Sequence, residues 1–237
     1  MSQNKDMSFW EHLDEFRSRI FIVLAFVLIG SIITYSYCAE IIEILLLPSK
    51  SYSGISFQVI RITSMLMINL GLSLFGGFII GLPVLVYQII RFLSPAVKIE
   101  LKWMIILVFF SFIFFISGAL FAYKVIIPFL LQFFTSITIE SVDVSYNFTL
   151  DSYLSYTLWT IFINGIIFLM PIFSIIGSKS GILTPEFLKH YRKHSFIAFL
   201  VISALITPPD PFSQILIVIP FFILYELSII LSRFISK

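Results

Sequence analysis

Six stretches of this chain are apolar over lengths near that of a membrane crossing, and that pattern leaves few folds open. They run over residues 20–38, 68–90, 103–123, 154–176, 195–207 and 212–231. A hydrocarbon core about 30 Å thick needs roughly 20 helical residues at about 1.5 Å each. Five of the stretches meet that need, whereas 195–207 reaches only about 20 Å. A soluble domain carries about a quarter of charged residues. Here 12% are charged, 59% are hydrophobic and the mean hydropathy is +1.05. The expectation is an all-α integral membrane protein of six transmembrane helices, a single membrane domain over 1–237. After the short helix the chain reads Thr207-Pro208-Pro209-Asp210-Pro211. Proline removes donors and clashes with the preceding turn, so this insert is not helix interior. At such depth, non-helical backbone survives only where protein or a water-filled cavity covers it.

Loop charge sets the expected orientation. With the N-terminus inside, twelve Lys and Arg fall in inner segments and three (Lys50, Arg61 and Lys124) in outer ones. By the positive-inside rule both termini then face the cytoplasm or its equivalent. The outer segments 39–67 and 124–153 are themselves fairly apolar and are expected to form short helices capping that face. Asp6, Glu11, Asp14 and Glu15 precede the first span, which argues against a cleavable signal peptide, and no transit peptide is visible. A net charge of +2 gives no argument for nucleic acid. Cys38 stands alone, so no internal disulfide forms and no cysteine pair is present for metal. His190 and His194 are four apart but lack the H-E-x-x-H arrangement. No cofactor or metal is expected. All three histidines lie in inner loops, out of reach of a serine within the bundle, so an intramembrane protease is disfavoured and no enzyme activity is expected. No internal repeat is seen, which weighs against a secondary transporter.

Few polar residues remain to carry function. Phe9, Leu13, Phe16 and Ile20 recur at helical spacing, so an interfacial helix runs into the first span. On its polar face Glu15 and Arg19 are four apart and able to pair. That acid is either half of a solvated ion pair or a cation-binding group. Glu100 is the only acid of the first inner loop, set among Arg91, Lys98 and Lys102. Alone it balances charge. Together with Glu15 on one membrane side, it gives two carboxylates able to take two guanidinium forks. In the second inner loop Thr184 is a helix N-cap, followed by Pro185 and Glu186 in the first turn. Glu226 lies within the last apolar stretch, where a charge costs about 2.5–3.5 kcal/mol at the bilayer centre. It is either a functional acid, as in a proton-coupled or small-solute transporter, or a structural partner of Arg233 seven residues on.

Taken in order, these segments resemble the TatC family, the receptor subunits of the twin-arginine protein translocase. The likeness runs through almost the whole chain. It is carried by His12-Leu13-x-Glu15-x-Arg17-x-Arg19, Pro48, Tyr87-Gln88, Phe92 and Pro95. Gly118-x-x-Phe121-Ala122-Tyr123, Pro128 and Ser152-Tyr153-Leu154 follow, and then Thr207-Pro208-Pro209-Asp210, Ser213-Gln214, Pro220, Glu226 and Ser232-Arg233. The resemblance implies a cupped six-helix bundle with short fifth and sixth helices and an outer cap. It implies a site for twin-arginine signal peptides of folded cargo, with Glu15 and Glu100 holding the arginines and Phe92 and Arg17 shaping the surface. Pro48, Tyr123, Pro128, Asp210 and Glu226 are further positions that the family pattern marks. Implied partners are single-span helpers of the TatA or TatB type and further copies of the chain within a hetero-oligomeric complex in the lipid bilayer. The proton-motive force drives export, and the subunit itself hydrolyses nothing. Three departures stand out. Pro95 and Glu100 are five apart where the family spaces six. Leu169 stands where a Glu or Gln, implied by the resemblance to contact helper helices, is usual. The stretch 61–66 lacks an expected acid. The sequences around residues 87–92 and 45–57 look closest to cyanobacterial and plastid members. This points to a plastid thylakoid membrane, with a bacterial or mitochondrial inner membrane as alternatives.

Overall fold

The computed structural model describes residues 9–52, 55–97, 100–136, 146–206 and 211–235. The 207–210 turn, and Asp210 with it, lies outside the described residues. Five helical stretches are long and apolar enough to cross a membrane: Leu13–Tyr35, Ser64–Phe92, Leu101–Ser136, Leu150–Lys179 and Gln214–Ile235. Their outward faces are apolar, with Ile32, Met67, Phe109, Trp159 and Ile223, one from each, at least 60% exposed. That is the surface lipid requires.

Helix α1 (Phe9–Tyr35) turns at residues 36–37 into α2 (Cys38–Lys50). Helix α3 (Ser64–Val97) returns antiparallel to α1. Association of helices in lipid relies on close van der Waals contact rather than on water exclusion, so small residues line the seam. A Cβ on Gly77 would lie 2.4 Å from the Val27 carbonyl oxygen, and one on Gly76 would lie 2.3 Å from the Thr34 methyl. Further along, the Cys38 thiol contacts the Thr34 and Asn69 carbonyls at 3.6 Å. Cys38 is a small buried packing residue, as expected.

Helix α4 (Leu101–Phe121) does not end where the sequence places the end of the third span. A five-residue π-helical turn, Ala122–Ile126, carries it directly into α5 (Ile127–Ser136). Pro128 cannot donate to the preceding turn, and the wider π turn is where the helix accommodates such a misfit. In the fourth span, α6 (Leu150–Phe168) and α7 (Met170–Lys179) meet at Leu169, just before Pro171. Leu169 is 3% exposed and packs with Leu82, Met104, Phe115 and Ile172. The side chain at this departure from the family pattern is thus buried in the chain's own core.

Gly181, at φ +71°, turns the chain out of α7. Helix α8 (Pro185–His190) follows, and Thr184 caps it by accepting from the Phe187 N–H at 3.1 Å. Helix α9 (Arg192–Ile206) has 15 residues, about 22 Å long. It lies antiparallel to α10 (Pro211–Ile235), with ring contacts from Phe196 to Phe222 and from Phe199 to Phe221. The fifth apolar stretch is therefore short, as expected. The sixth is not short: α10 has 25 residues. Pro220 costs that helix one hydrogen bond without ending it, because neighbouring packed helices hold the turn. Phe221, beside it, is fully buried.

Segments 39–67 and 124–153 hold the short helices α2 and α5, as expected, and one element that was not. Strands β1 (Ile55–Gln58) and β2 (Tyr146–Thr149) pair in parallel, with Ile55 opposite Tyr146 and Gln58 opposite Thr149. This small sheet ties together two loops about 90 residues apart and is, among the described residues, the exception to an otherwise helical fold.

Candidate functional site

Two ends of the bundle carry most of the positions singled out from sequence. At one end α1 pairs with α3 so that Phe16 meets Phe92, ring centroids 5.6 Å apart. Glu15, beside Phe16, is therefore level with Phe92. Helix α3 ends at Val97 and α4 begins at Leu101, so Glu100 lies at this same end. Lys179 sits 4.6 Å over the Trp103 ring, which joins the end of α7 to the start of α4 there. The Ser178 and Ser232 hydroxyls, 2.6 Å apart, bring in the end of α10. Glu15, Arg17, Phe92 and Glu100 thus share one end of the molecule with the basic residues Arg19, Arg91, Lys102, Lys179 and Arg233.

The two acids sit in different surroundings. Glu100 is exposed and precedes α4 in an extended conformation. Its backbone carbonyl accepts from Met104 N–H at 3.1 Å. Its side chain makes no capping bond to the helix, and Glu100, Lys102 and Arg91 are all exposed. Glu15 is three-quarters buried, and Arg19 already engages it. Arg19 Nε donates to Glu15 Oε1 at 3.1 Å, and Arg19 Nη2 donates to the same oxygen. Arg19 Nη1 reaches across the seam to Gln88 Oε1 at 2.8 Å. The pairing of Glu15 with Arg19 is the one their spacing suggested. The role of Gln88 was missed. A glutamine near the end of an apolar span, opposite a basic helix face, was the available signal.

Arg17 points elsewhere. It pairs with Asp14 at 3.2 Å, with both side chains about 70% exposed. In water such a pair is worth little, so Arg17 stays available to a ligand. Between α1 and α3 an open apolar groove of about 350 Å³ is lined by Phe16, Ile20, Leu24, Leu85, Ile89 and Phe92, with Arg19 and Gln88 among its walls. A cationic group at Glu15 and an apolar segment in this groove fit one elongated peptide.

Glu226 resolves differently from its sequence reading. Its partner is Arg192, not Arg233. Arg192 Nε and Nη2 each reach one carboxylate oxygen at 2.8 Å, a fork-to-fork geometry. Arg233 is two turns further along the same helix, about 10 Å away, whereas antiparallel α9 brings Arg192 alongside. Glu226 is about a third exposed. It lies against the start of α9, forked to Arg192, which favours the structural reading over a transport acid.

At the other end Pro48, Tyr123 and Pro128 come together. Pro48 lies inside α2 and has no N–H to give Ile44, four residues back. The Tyr123 hydroxyl donates to that Ile44 carbonyl at 2.6 Å. Tyr153 donates to the next carbonyl, Leu45, at 3.1 Å, and Tyr52 donates to the Pro128 carbonyl at 2.9 Å. Three tyrosine hydroxyls thus fasten the α2 segment to the π turn, to α6 and to α5, one of them on the carbonyl that Pro48 leaves without its helical donor.

Comparison with known proteins agrees with this picture. The sequence model of a family described as "Sec-independent protein translocase protein (TatC)" matches residues 11–220. The chain is 36% identical over 233 residues to the Sec-independent protein translocase protein TatC of Aquifex aeolicus (strain VF5), covering 98% of this chain and 97% of the relative. It is 32% identical over 236 residues to the uncharacterized tatC-like protein ycf43 of Gracilaria tenuistipitata var. liui, covering 99% and 97%. Among solved structures, the crystal structure of the twin arginine translocase receptor TatC superposes with a TM-score of 0.83 at 37% identity, over 96% of this chain and all of that one. The same receptor in DDM gives 0.85 at 38%, over 94% and 99%.

Proposed function

The chain belongs to the TatC family, and on that premise we propose that it is the subunit of the twin-arginine translocase that receives the signal peptide. It is a multi-pass membrane protein of a Sec-independent protein translocase, a translocation component rather than a catalyst. The proposed site is the end of the bundle that carries Glu15, Arg17, Phe92 and Glu100. Glu15 and Glu100 each take one guanidinium of the twin-arginine pair, and the apolar groove beside Phe16 and Phe92 takes the segment that follows. The observation that carries this reading is the α1–α3 pairing, which sets Glu15 level with Phe92 at the end of the bundle where Glu100 precedes α4.

The finer topology belongs to the same proposal. Helix α9 counts as a sixth, short crossing, and both termini face the cytoplasmic or stromal side. Residues 1–237 act as one domain. Single-span TatA- or TatB-type subunits and further copies of the chain complete the complex. The proton-motive force drives export. The proposed home is a plastid thylakoid membrane, with a bacterial or mitochondrial inner membrane as alternatives.

The test is charge reversal at Glu15 and Glu100 together, followed by photo-crosslinking to a twin-arginine peptide. The reading expects the doubly reversed chain to accumulate in the membrane and to lose the crosslink. A crosslink of unchanged yield rejects the site.

A further inference from the structure

We propose that Arg19 is a specificity-determining residue of this site: an internal guanidinium that occupies Glu15 and that an incoming arginine has to displace. The proposal rests on the reading that Glu15 receives an arginine. Glu15 Oε1 already accepts from two nitrogens of Arg19, and Oε2 is fully buried. Neither carboxylate oxygen is therefore open to a second fork until the side chain turns. The Arg19 side chain is itself only 13% exposed. What stands on the acid in the resting chain is the same chemical group that the signal peptide brings.

That identity makes binding an exchange. A guest arginine offers the planar fork it displaces and replaces two donors with two donors. A guest lysine offers a compact, strongly hydrated point charge with no fork. It gives up more hydration and restores less geometry, so it loses the exchange. Discrimination then comes from the competitor the chain carries, a repulsive threshold rather than an added attraction. The displaced Arg19 also has a holding point. Its Nη1 bond to Gln88 Oε1, 2.8 Å long, comes from α3 and does not involve Glu15. Glu15 can swing outward while Arg19 stays docked on Gln88. The α1–α3 seam, closed by Gly76 and Gly77, need not open for this.

The experiment uses the full chain in detergent and two fluorescent peptides that differ only in carrying Arg-Arg or Lys-Lys, with Kd read by anisotropy. In Arg19→Gln, the twin-lysine peptide is expected to bind at least tenfold more tightly than to the parent. Twin-arginine binding is expected to hold or tighten, so that the ratio of the two affinities falls at least fivefold. Arg19→Lys, which keeps the charge and loses the fork, should fall between. Gln88→Leu, which loosens the competitor by removing its bond from α3 while keeping both charged side chains, should lower the ratio by a smaller factor. If Arg19→Gln does not elute as a folded species, the Lys and Gln88 variants carry the test. A ratio at the parental value in all folded variants overturns the proposal. Glu15→Gln separates the two layers. If it weakens twin-arginine binding while the Arg19 and Gln88 variants leave the ratio unmoved, the competitor fails and the site stands. If Glu15→Gln binds twin-arginine like the parent, both fall.

Discussion

Replacing Tyr123 by Phe removes one hydroxyl from the contact between the π turn and α2, and the cost of that change should depend on Pro48. The Tyr123 hydroxyl donates at 2.6 Å to the Ile44 carbonyl, whose helical donor would be the N–H that Pro48 lacks. A neutral hydrogen bond contributes about 0.5–1.5 kcal/mol net, and a stranded buried acceptor costs about 1–3 kcal/mol. Ile44 is 52% exposed, so water recovers part of the loss. That places the expected cost of Tyr123→Phe near the low end, about 1 kcal/mol. In a Pro48→Ala background the alanine N–H reaches the same carbonyl, and Tyr123→Phe should then cost almost nothing. The double-mutant cycle therefore has an expected coupling of about 1 kcal/mol. The assay is detergent unfolding of the four proteins in one micelle composition, followed by tryptophan fluorescence. If Tyr123→Phe costs the same with and without the proline, the hydroxyl is not standing in for the missing N–H and the reasoning fails.

Other consequences follow from the packing. Gly77→Leu forces a side chain against the Val27 carbonyl and the Ser31 N–H, at 2.4 and 2.7 Å from the Cβ position. Backbone cannot step aside, so a loss of about 1–3 kcal/mol or more is expected, read as a lower unfolding midpoint. Gly71→Ala, whose Cβ meets nothing within 4 Å, should leave the midpoint unchanged or raised. Arg192→Met and Glu226→Gln break the same pair, and because both groups are partly exposed each should cost no more than about 1 kcal/mol. The exchanged pair Arg192→Glu with Glu226→Arg should recover most of that loss in the same unfolding assay. Thr184→Ala should cost about 1 kcal/mol through the lost N-cap, and Thr184→Ser much less.

The sequence revealed those parts of the fold that local chemistry encodes. Apolar runs located the five long apolar helical stretches, and Thr184-Pro185-Glu186 located the start of α8, because both signals sit within a few residues of the element they specify. The failures involve partners distant in the chain. Arg233 looked right for Glu226 because it is seven residues away on the same helix face, yet a two-turn rise is too long for a direct bond. Arg192 arrives only through the antiparallel packing of α9. The β1–β2 pairing joins segments with no shared local pattern. Lys124 and Pro128 read as the end of a helix, and the π turn that carries the helix past them has no composition of its own. At the candidate site, spacing anticipated the Glu15–Arg19 pair. That Gln88 holds Arg19 from across the seam depends on the register of α1 against α3, which small residues at 30, 31, 76 and 77 set by close approach.

Glu100 allows the most direct test of the signal-peptide site, because its carboxylate is exposed and its reversal disturbs no buried pair. In Glu100→Arg, affinity for the twin-arginine peptide should fall at least tenfold. One of the two peptides with a single arginine replaced by glutamate should regain binding to that variant while binding the parent poorly. If Glu100→Arg binds the twin-arginine peptide as the parent does, and neither glutamate peptide prefers the variant, Glu100 does not hold a signal-peptide arginine and the account is contradicted.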